Sequence, residues 1–329
     1  MMTILLTGGS GFLGSHIAEE LNRQERHVRA LVRSTSDTSF LSTLENVELF
    51  EGSVQDRGSL LAAAEGVEAI VHAAGLVKAR SAEEFHEVNA GGTANVLSAA
   101  RHAGSGLKRL VLVSSLAAAG PSDLQGNALA PEAEPRPVTH YGRSKLAAEQ
   151  IVLGAKDEIP VTIIRPPAIY GPRDREILAF FKALNSRVLP LTGATSNKLS
   201  MIFGPDCASA CVKAIDADVP SGSTYFVDDG KAHTFEDLII QGEAALGKRA
   251  WLRIPLPKPV VRTAALASEL YGKLSNRAVM LTRDKCNELF DQWVCDGSAA
   301  QRDLGWQPEV PFSEGVQRTV DWYKDAGWL

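Results

Sequence analysis

Three glycines at three-residue intervals, Gly8, Gly11 and Gly14, constrain the fold of this chain more than any other feature. They follow an apolar run at residues 3–7 that predicts a β-strand, and the residues after them have the apolar spacing of a helix. A glycine-rich turn between a strand and a helix lets the backbone approach a ligand closely, and the first amides of the helix attract anions. The segment therefore predicts a dinucleotide-binding βαβ unit.

The alternation of strand and helix continues through the first half of the chain. Leu13, Ile17 and Leu21 have helical spacing, as do Val96 and Ala100. Short apolar runs that predict buried strands lie at residues 3–7, 28–32, 46–50, 69–73, 109–114 and 161–165. Alternating strands and helices predict an α/β fold with a doubly wound parallel sheet and helices on both faces.

The second half of the chain has a looser pattern. Its shorter elements are separated by prolines, among them those at positions 172, 190, 205, 220, 255, 257 and 259. We predict a dinucleotide-binding domain at 1–170 and a smaller mixed lobe, mainly for substrate, at 171–329. An apolar run at 224–227 predicts a late strand, so we expect 200–228 to return to the main sheet.

The charge of the chain argues against one class of partner. Its formal net charge is -5, and no run of lysine and arginine interrupts the sequence. Binding of phosphate backbones usually needs a basic patch, so we predict no nucleic-acid partner. The cysteines lack paired Cys-x-x-Cys spacing, which predicts packing residues and no metal site. They are Cys207, Cys211, Cys286 and Cys295.

The distribution of apolar residues predicts a cytoplasmic location. The N-terminus enters a strand pattern directly, without the basic leader of a signal peptide. The most apolar long segment, 259–274, is interrupted by Arg262, Glu269 and Lys273, so it does not predict a membrane span. An amphipathic character and a peripheral membrane contact through this segment stay open.

Five further motifs follow the glycine turn in order. They are His72-Ala73-Ala74-Gly75, residues 88–93 (VNAGGT), Val113-Ser114-Ser115, residues 141–145 (YGRSK) and residues 165–172 (RPPAIYGP). Together with the glycine spacing they resemble the extended short-chain dehydrogenases/reductases of the NAD-dependent epimerase/dehydratase superfamily. Residues 259–266 and 300–308 resemble the 3β-hydroxysteroid dehydrogenase and dihydroflavonol 4-reductase branch. The resemblance implies a Rossmann-type fold and a homodimer.

Tyr141 and Lys145 are the central catalytic candidates. They are four residues apart on a predicted helix, so their side chains share one face. A nearby ammonium favours the phenolate of a tyrosine, whose ordinary pKa is near ~10. The resemblance implies that Ser115 hydrogen-bonds the substrate oxygen, with Ser114 as its rival. It also implies that Asn89 supports a water-mediated proton path, although Asn89 fits equally well as a buried residue that satisfies backbone groups.

The end of the second predicted strand bears on the choice of cofactor. Val32 stands where an NAD-selective carboxylate is expected, and Arg33 follows it. An arginine there can bind a 2′-phosphate, so we predict NADP(H), with NAD(H) as the alternative. Ser53 replaces the acid that meets the adenine in relatives. The predicted cofactor-binding residues are Gly8, Ser10, Gly11, Phe12, Leu13, Gly14, Arg33, Ser53, Val54, Ala73, Ala74, Gly75, Tyr141, Lys145, Pro166, Pro167 and Ile169.

Three classes of function compete for this chain. Sugar-nucleotide dehydratases of the family follow the catalytic serine or threonine with Asp-Glu, whereas this chain has Leu116-Ala117. Family epimerases often carry an arginine and a histidine in the segment that corresponds to 199–206, and neither is present there. A non-catalytic regulator has no need of the Ser115, Tyr141 and Lys145 set. We therefore predict reversible reduction of a ketone on a small, hydrophobic substrate, with a nucleotide-sugar epimerase as the alternative.

Overall fold

The computed structural model describes residues 2–279 and 281–329. Its strands are β1 (Thr3–Thr7), β2 (His27–Val32), β3 (Val47–Glu51), β4 (Ala69–His72), β5 (Arg109–Val113), β6 (Val161–Arg165), β7 (Ala168–Tyr170), β8 (Val188–Thr192), β9 (Lys198–Phe203), β10 (Ser223–Phe226), β11 (Ala232–Thr234) and β12 (Leu252–Leu256). Its α-helices are α1 (Phe12–Arg23), α2 (Arg57–Ala63), α3 (Ala82–Phe85), α4 (Gly92–Ala103), α5 (Leu116–Ala119), α6 (His140–Leu153), α7 (Leu178–Asn185), α8 (Gly204–Asp216), α9 (Phe235–Leu246), α10 (Lys258–Ser275), α11 (Arg283–Glu288), α12 (Ser298–Asp303) and α13 (Phe312–Asp325).

Seven strands form the central sheet in the order β10-β6-β5-β4-β1-β2-β3. Their pairings are parallel throughout. The chain runs outward from β1 to β2 and β3, then crosses back to β4 and continues to the other edge. Because ligands of such sheets bind where the strand order reverses, the carboxyl ends of β1 and β4 are the expected binding position.

Helices cover both faces of the sheet, as the sequence pattern predicts. Ile4 and Leu6 of β1 face the core under α1 and α8, and Leu5 faces the core under α2, α4 and α6. Side chains of a strand alternate between its two faces, so both faces need an apolar cover. The α/β, doubly wound fold is thus confirmed.

The late strand β10 pairs with β6 at one edge of the central sheet. β9 lies elsewhere, between β7 and β11 in a separate three-stranded sheet. The run at 46–50 forms the opposite edge as β3, and it is partly exposed where we predicted a buried strand. An edge strand has a neighbour on one side only, which leaves it less covered than the central strands. The division at residue 170 stays a prediction.

A second core lies among the later elements. Phe181 of α7, Leu238 of α9, and Val316 and Tyr323 of α13 pack together there. The four cysteines are free and buried, in keeping with packing. Within the described part of the chain, no helix combines the length and the apolar character needed to cross a membrane.

Candidate active site

The glycine turn between β1 and α1 has room for glycine alone at two of its positions. Gly8 has a φ of +79°, and a Cβ there would lie 2.6 Å from the amide nitrogen of Ala74. A Cβ at Gly14 would overlap the carbonyl oxygen of Gly8. Gly11 precedes α1 without a side-chain cap, so the first amides of the helix stay available to an anion. The turn is a cradle that fits a dinucleotide pyrophosphate.

A cavity of about 2070 Å³ opens beside this turn, on the side where the strands of the sheet end. Most of the predicted site residues lie on its wall. They are Gly8, Ser10, Gly11, Phe12, Leu13, Gly14, Ala73, Gly75, Ser115, Tyr141, Lys145, Pro166, Pro167 and Ile169. The fold therefore brings the glycine turn and the catalytic candidates to one cavity.

Five predicted residues lie outside this wall, namely Arg33, Ser53, Val54, Ala74 and Asn89. Arg33 is exposed just after β2. The backbone carbonyl of Val54 accepts a hydrogen bond from the side-chain Nδ2 of Asn95 at 2.9 Å, and the backbone amide of Ala74 donates to the Thr7 hydroxyl at 3.3 Å. Their cofactor roles stay predictions.

Tyr141 lies in the first turn of α6, which the Thr139 side chain caps. A Cβ at Gly142 would overlap the carbonyl oxygen of Ala117, so glycine lets α6 approach α5 closely. This approach places the Tyr141 phenol beside Ser115. Burial raises the pKa of Tyr141 to about 12, and a hydrogen bond with Ser115 acts in the opposite direction. The sequence prediction favoured the phenolate, whereas burial in the folded protein favours the protonated phenol.

Lys145 lies one turn further along α6 and is buried. Its ammonium donates to the carbonyl oxygen of Val113, at the end of β5, over 2.6 Å. Burial lowers the pKa of Lys145 to about 8, against the opposing charge of Glu149. An ammonium has three donors, so two can point toward the cavity while the third fixes the side chain.

The two adjacent serines after β5 have different partners. The Ser114 hydroxyl donates to Glu149 at 2.5 Å, and Glu149 is itself paired with Arg165 at 2.7 Å, all three buried. The Ser115 hydroxyl accepts from the amide of Ala117 at 3.1 Å and so caps α5. This geometry favours Ser115 over Ser114 as the group that faces a substrate.

Asn89 lies in a π-helical turn, His86–Gly91, just before α4. Its side-chain oxygen accepts from the amide of Leu76 at 2.7 Å. Its side-chain nitrogen donates to the carbonyl of Leu76 at 3.1 Å and to the Ser144 hydroxyl at 2.8 Å. These are the contacts of a buried residue that fixes the loop after Gly75 against α6. The proton-path role stays a prediction.

Several residues on the cavity wall were not identified from the sequence. The ring of Phe85 lies 6.0 Å from that of Tyr141, and Lys78 pairs with Glu176 at 2.6 Å. Phe85 lies four residues before Asn89, so its position near the site could have been inferred from the neighbouring motif at 88–93. The remaining apolar residues come from segments far apart in the chain, so no local pattern identifies them. They include Leu238, Leu289 and Trp293.

Two arginines on the cavity wall, Arg173 and Arg175, have partners within the protein. Arg173 donates to Ser15 at 2.9 Å and to Glu19 at 2.6 Å. Arg175 lies over the ring of Trp328, 4.8 Å from its centroid. Both arginines line the cavity, but these contacts hold their guanidinium groups in place.

The helix α10 borders the cavity mainly with polar residues. Its residues on the cavity wall are Arg262, Glu269, Gly272 and Lys273, while Leu270 is exposed on the outside. The rotation of the helix about its axis decides which of its residues face the cavity. The composition of the segment does not reveal that rotation.

Comparisons with known proteins relate the whole chain to one family. The model of the NAD dependent epimerase/dehydratase family matches residues 4–227. A ceramide reductase of Caulobacter vibrioides is 34% identical, over 99% of this chain and 96% of its own. A UDP-glucose 4-epimerase of Vibrio cholerae is 28% identical, over 98% of this chain and 96% of its own.

A solved structure of a dTDP-glucose 4,6-dehydratase from Streptomyces venezuelae, with NAD and TYD bound, shares the fold. It matches with a TM-score of 0.82 at 24% identity, covering 99% of this chain and 98% of its own. The arrangement of the central sheet and its covering helices is thus common to both proteins.

Proposed function

We propose that this chain, which belongs to the NAD dependent epimerase/dehydratase family and is an NAD(P)-dependent oxidoreductase acting on CH–OH groups, uses NADP(H). We propose further that it interconverts a ketone and a secondary alcohol on a hydrophobic substrate. One observation carries this proposal. Ser115, Tyr141 and Lys145 line the same cavity as the glycine turn, so acid–base groups and a dinucleotide cradle share one space.

The groups on this wall suit proton transfer to a ketone oxygen. Reduced nicotinamide, when bound, supplies the hydride for the carbonyl carbon. Ser115 donates a hydrogen bond to the carbonyl oxygen, and Tyr141 delivers the proton that completes the alcohol. With a pKa of about 12, Tyr141 holds its proton at neutral pH and is ready to donate it. Lys145 then stabilises the phenolate that forms.

The preference for NADP(H) is supported by the end of β2. Val32 is buried and carries no charge that would repel a 2′-phosphate, and Arg33 is exposed beside it. A charge-assisted hydrogen bond contributes about 1.5–3 kcal/mol, which corresponds to about 10- to 150-fold in affinity.

The hydrophobic character of the substrate is supported by apolar residues on the cavity wall. Leu199, Met201, Leu238 and Trp293 line it. The 34% identical relative from Caulobacter vibrioides is named a ceramide reductase, so its name pairs a reductase with a lipid. Apolar pockets with a few convergent polar groups are typical of small-molecule sites.

A nucleotide-sugar epimerase is the alternative, and one observation favours it. Arg262, Lys273 and Arg277 line the cavity and could hold a diphosphate. Opposing this, Leu199, Ser200 and Met201 are the residues that 199–206 contributes to the wall, and none is basic. The 28% identical relative from Vibrio cholerae is named a UDP-glucose 4-epimerase, so nucleotide sugars belong among the substrates to be tested.

A substrate panel separates the two functions. Purified protein is mixed with NADPH or NADH and with hydrophobic ketones or nucleotide sugars, and nicotinamide absorbance is followed. We expect loss of NADPH absorbance with hydrophobic ketones. Product analysis serves as the control, because epimerisation consumes no net cofactor. Conversion of a nucleotide sugar without net oxidation, and no reduction of any ketone, would overturn the proposal.

The roles of the two serines are tested by a matched pair of variants. Ser115→Ala should lower turnover of the best ketone by about 10- to 100-fold, because one hydrogen bond to the reacting oxygen is lost. Ser114→Ala should leave the chemical step almost unchanged and lower the thermal stability, because Glu149 loses a partner. The reverse pattern would assign the role to Ser114.

A further inference from the structure

The helix α10 has an apolar ridge on its outer surface. Leu266, Leu270 and Leu274 follow one another at intervals of four residues, and Leu274 is 81% exposed. Val261 and Ala265, on the other side of the helix, are buried against Cys286 of α11. Surface helices normally bury their apolar face and expose their polar one. Here apolar side chains lie on both faces, and no residue in the described part of the chain covers the outer ridge.

The segment around this ridge is strongly basic. Residues 248–285 contain nine lysines and arginines and two acidic residues, a net charge of +7. The whole chain has a net charge of -5, so the other 291 residues carry -12. Arg262 and Lys273 are exposed along one flank of α10, next to the ridge. Arg253 and Lys285 pair with Glu236 and Glu288, which lie outside this segment. Arg262 and Lys273 have no carboxylate partner among the described residues, so they supply the positive charge beside the leucines.

The same helix forms one border of the active-site cavity. Arg262, Glu269, Gly272 and Lys273 lie on the cavity wall, and the leucine ridge lies on the outside of the helix. A molecule resting against the ridge therefore lies one helix diameter, about 10 Å, from the cavity.

From these observations we propose that α10 docks flat on the surface of a bilayer that contains anionic phospholipids. The leucine ridge enters the boundary between headgroups and acyl chains, and the basic flank contacts the lipid phosphates. A symmetric contact between two copies would bring the basic flanks together, which costs free energy. A nucleic-acid backbone would match the charges but would leave the leucines facing phosphate. We expect that docking also brings a hydrophobic substrate close to the cavity, and this expectation rests on the proposed function.

The experiment measures binding of the purified chain to vesicles of phosphatidylcholine with phosphatidylglycerol, by flotation. We expect binding, and we expect the double variant Leu270→Glu with Leu274→Glu to bind about 100-fold more weakly, since each buried leucine contributes on the order of tenfold. Vesicles of phosphatidylcholine alone should bind at least about fivefold more weakly, the contribution of one basic residue near an anionic surface.

The matched control is Leu124→Glu, because Leu124 is 87% exposed and lies away from α10 in the sequence. It should bind vesicles as the wild type does. The double variant should reduce a water-soluble ketone at the wild-type rate, which separates a failure of docking from a failure of the proposed function. Absence of vesicle binding by the wild type would overturn the proposal. So would a wild-type dimer that the double variant dissociates without any vesicle binding, or binding to duplex DNA in place of vesicles.

Discussion

The two walls of the cavity are built in different ways. The sheet wall, formed by Gly8, Gly11, Ser115, Tyr141 and Lys145, follows strands of the central sheet and is held by buried hydrogen bonds. The outer wall, formed by Leu199, Met201, Leu238, Leu289 and Trp293, is assembled from separate segments after residue 170. A rigid scaffold suits groups that must hold the reacting atoms in place. The outer wall can change without disturbing that geometry, so we expect it to determine specificity.

Removal of the Tyr141 hydroxyl is the strongest test of the sheet wall. Tyr141→Phe should lower turnover by about 10²- to 10⁴-fold, because the variant lacks the hydroxyl that we propose as the proton donor to the substrate oxygen. The dissociation constant for NADPH should stay near the wild-type value. Turnover is measured by nicotinamide absorbance and binding by nicotinamide fluorescence. Turnover equal to that of the wild type would remove Tyr141 from the mechanism.

A second test concerns the cofactor end of the sheet wall. Arg33→Asp should raise the dissociation constant for NADP by about 10- to 150-fold and change that for NAD much less, because only NADP carries the 2′-phosphate. Titration of both cofactors measures the difference. The matched control is Lys213→Asp, since Lys213 is exposed on α8. An unchanged NADP affinity in Arg33→Asp would show that Arg33 does not select the cofactor.

The pH dependence of reduction tests the charge of Lys145. With a pKa of about 8, Lys145 is charged below that pH and neutral above it, whereas Tyr141 keeps its proton to about pH 12. The value of kcat/KM for ketone reduction should therefore be level below pH 8 and decline by up to ~tenfold per pH unit above it. Lys145→Arg should be slower and lack this decline, because guanidinium stays charged. A wild-type profile that stays level well above pH 8 would contradict the assignment.

The smallest effect is expected on the outer wall. Leu289→Ala should change kcat/KM among hydrophobic ketones by about 10-fold or less, because a few methylene contacts contribute only about 1–3 kcal/mol. The KM for NADPH should not change. Comparison of a short-chain and a long-chain ketone measures the effect. If Leu289→Ala lowered turnover as much as Tyr141→Phe does, the outer wall would contribute to the chemical step and not to specificity alone.

The central sheet could be predicted from the sequence almost to the residue. Strands predicted at 69–73 and 161–165 occur at Ala69–His72 and Val161–Arg165. Their apolar runs are short and continuous because both faces of a parallel sheet are buried. The exposure of β3 was not predicted, because the order of strands is a property of the whole sheet.

The site could be predicted where its residues belong to short motifs. Gly8, Gly11, Ser115, Tyr141 and Lys145 all lie on one cavity, as their order in the chain suggested. The raised pKa of Tyr141 was not predicted, since burial depends on elements that are far away in the sequence. The same holds for Leu238 and Trp293, which no local pattern connects.

The sequence by itself determined the fold class, the position of the glycine cradle and the spacing of Tyr141 and Lys145. Each of these depends on residues that are neighbours in the chain, where strand and helix periodicity act. Only the tertiary structure decided that the Ser114 hydroxyl is held by Glu149, and that the leucines of α10 face outward. Both outcomes depend on how distant elements pack and rotate against one another, which a local pattern does not encode.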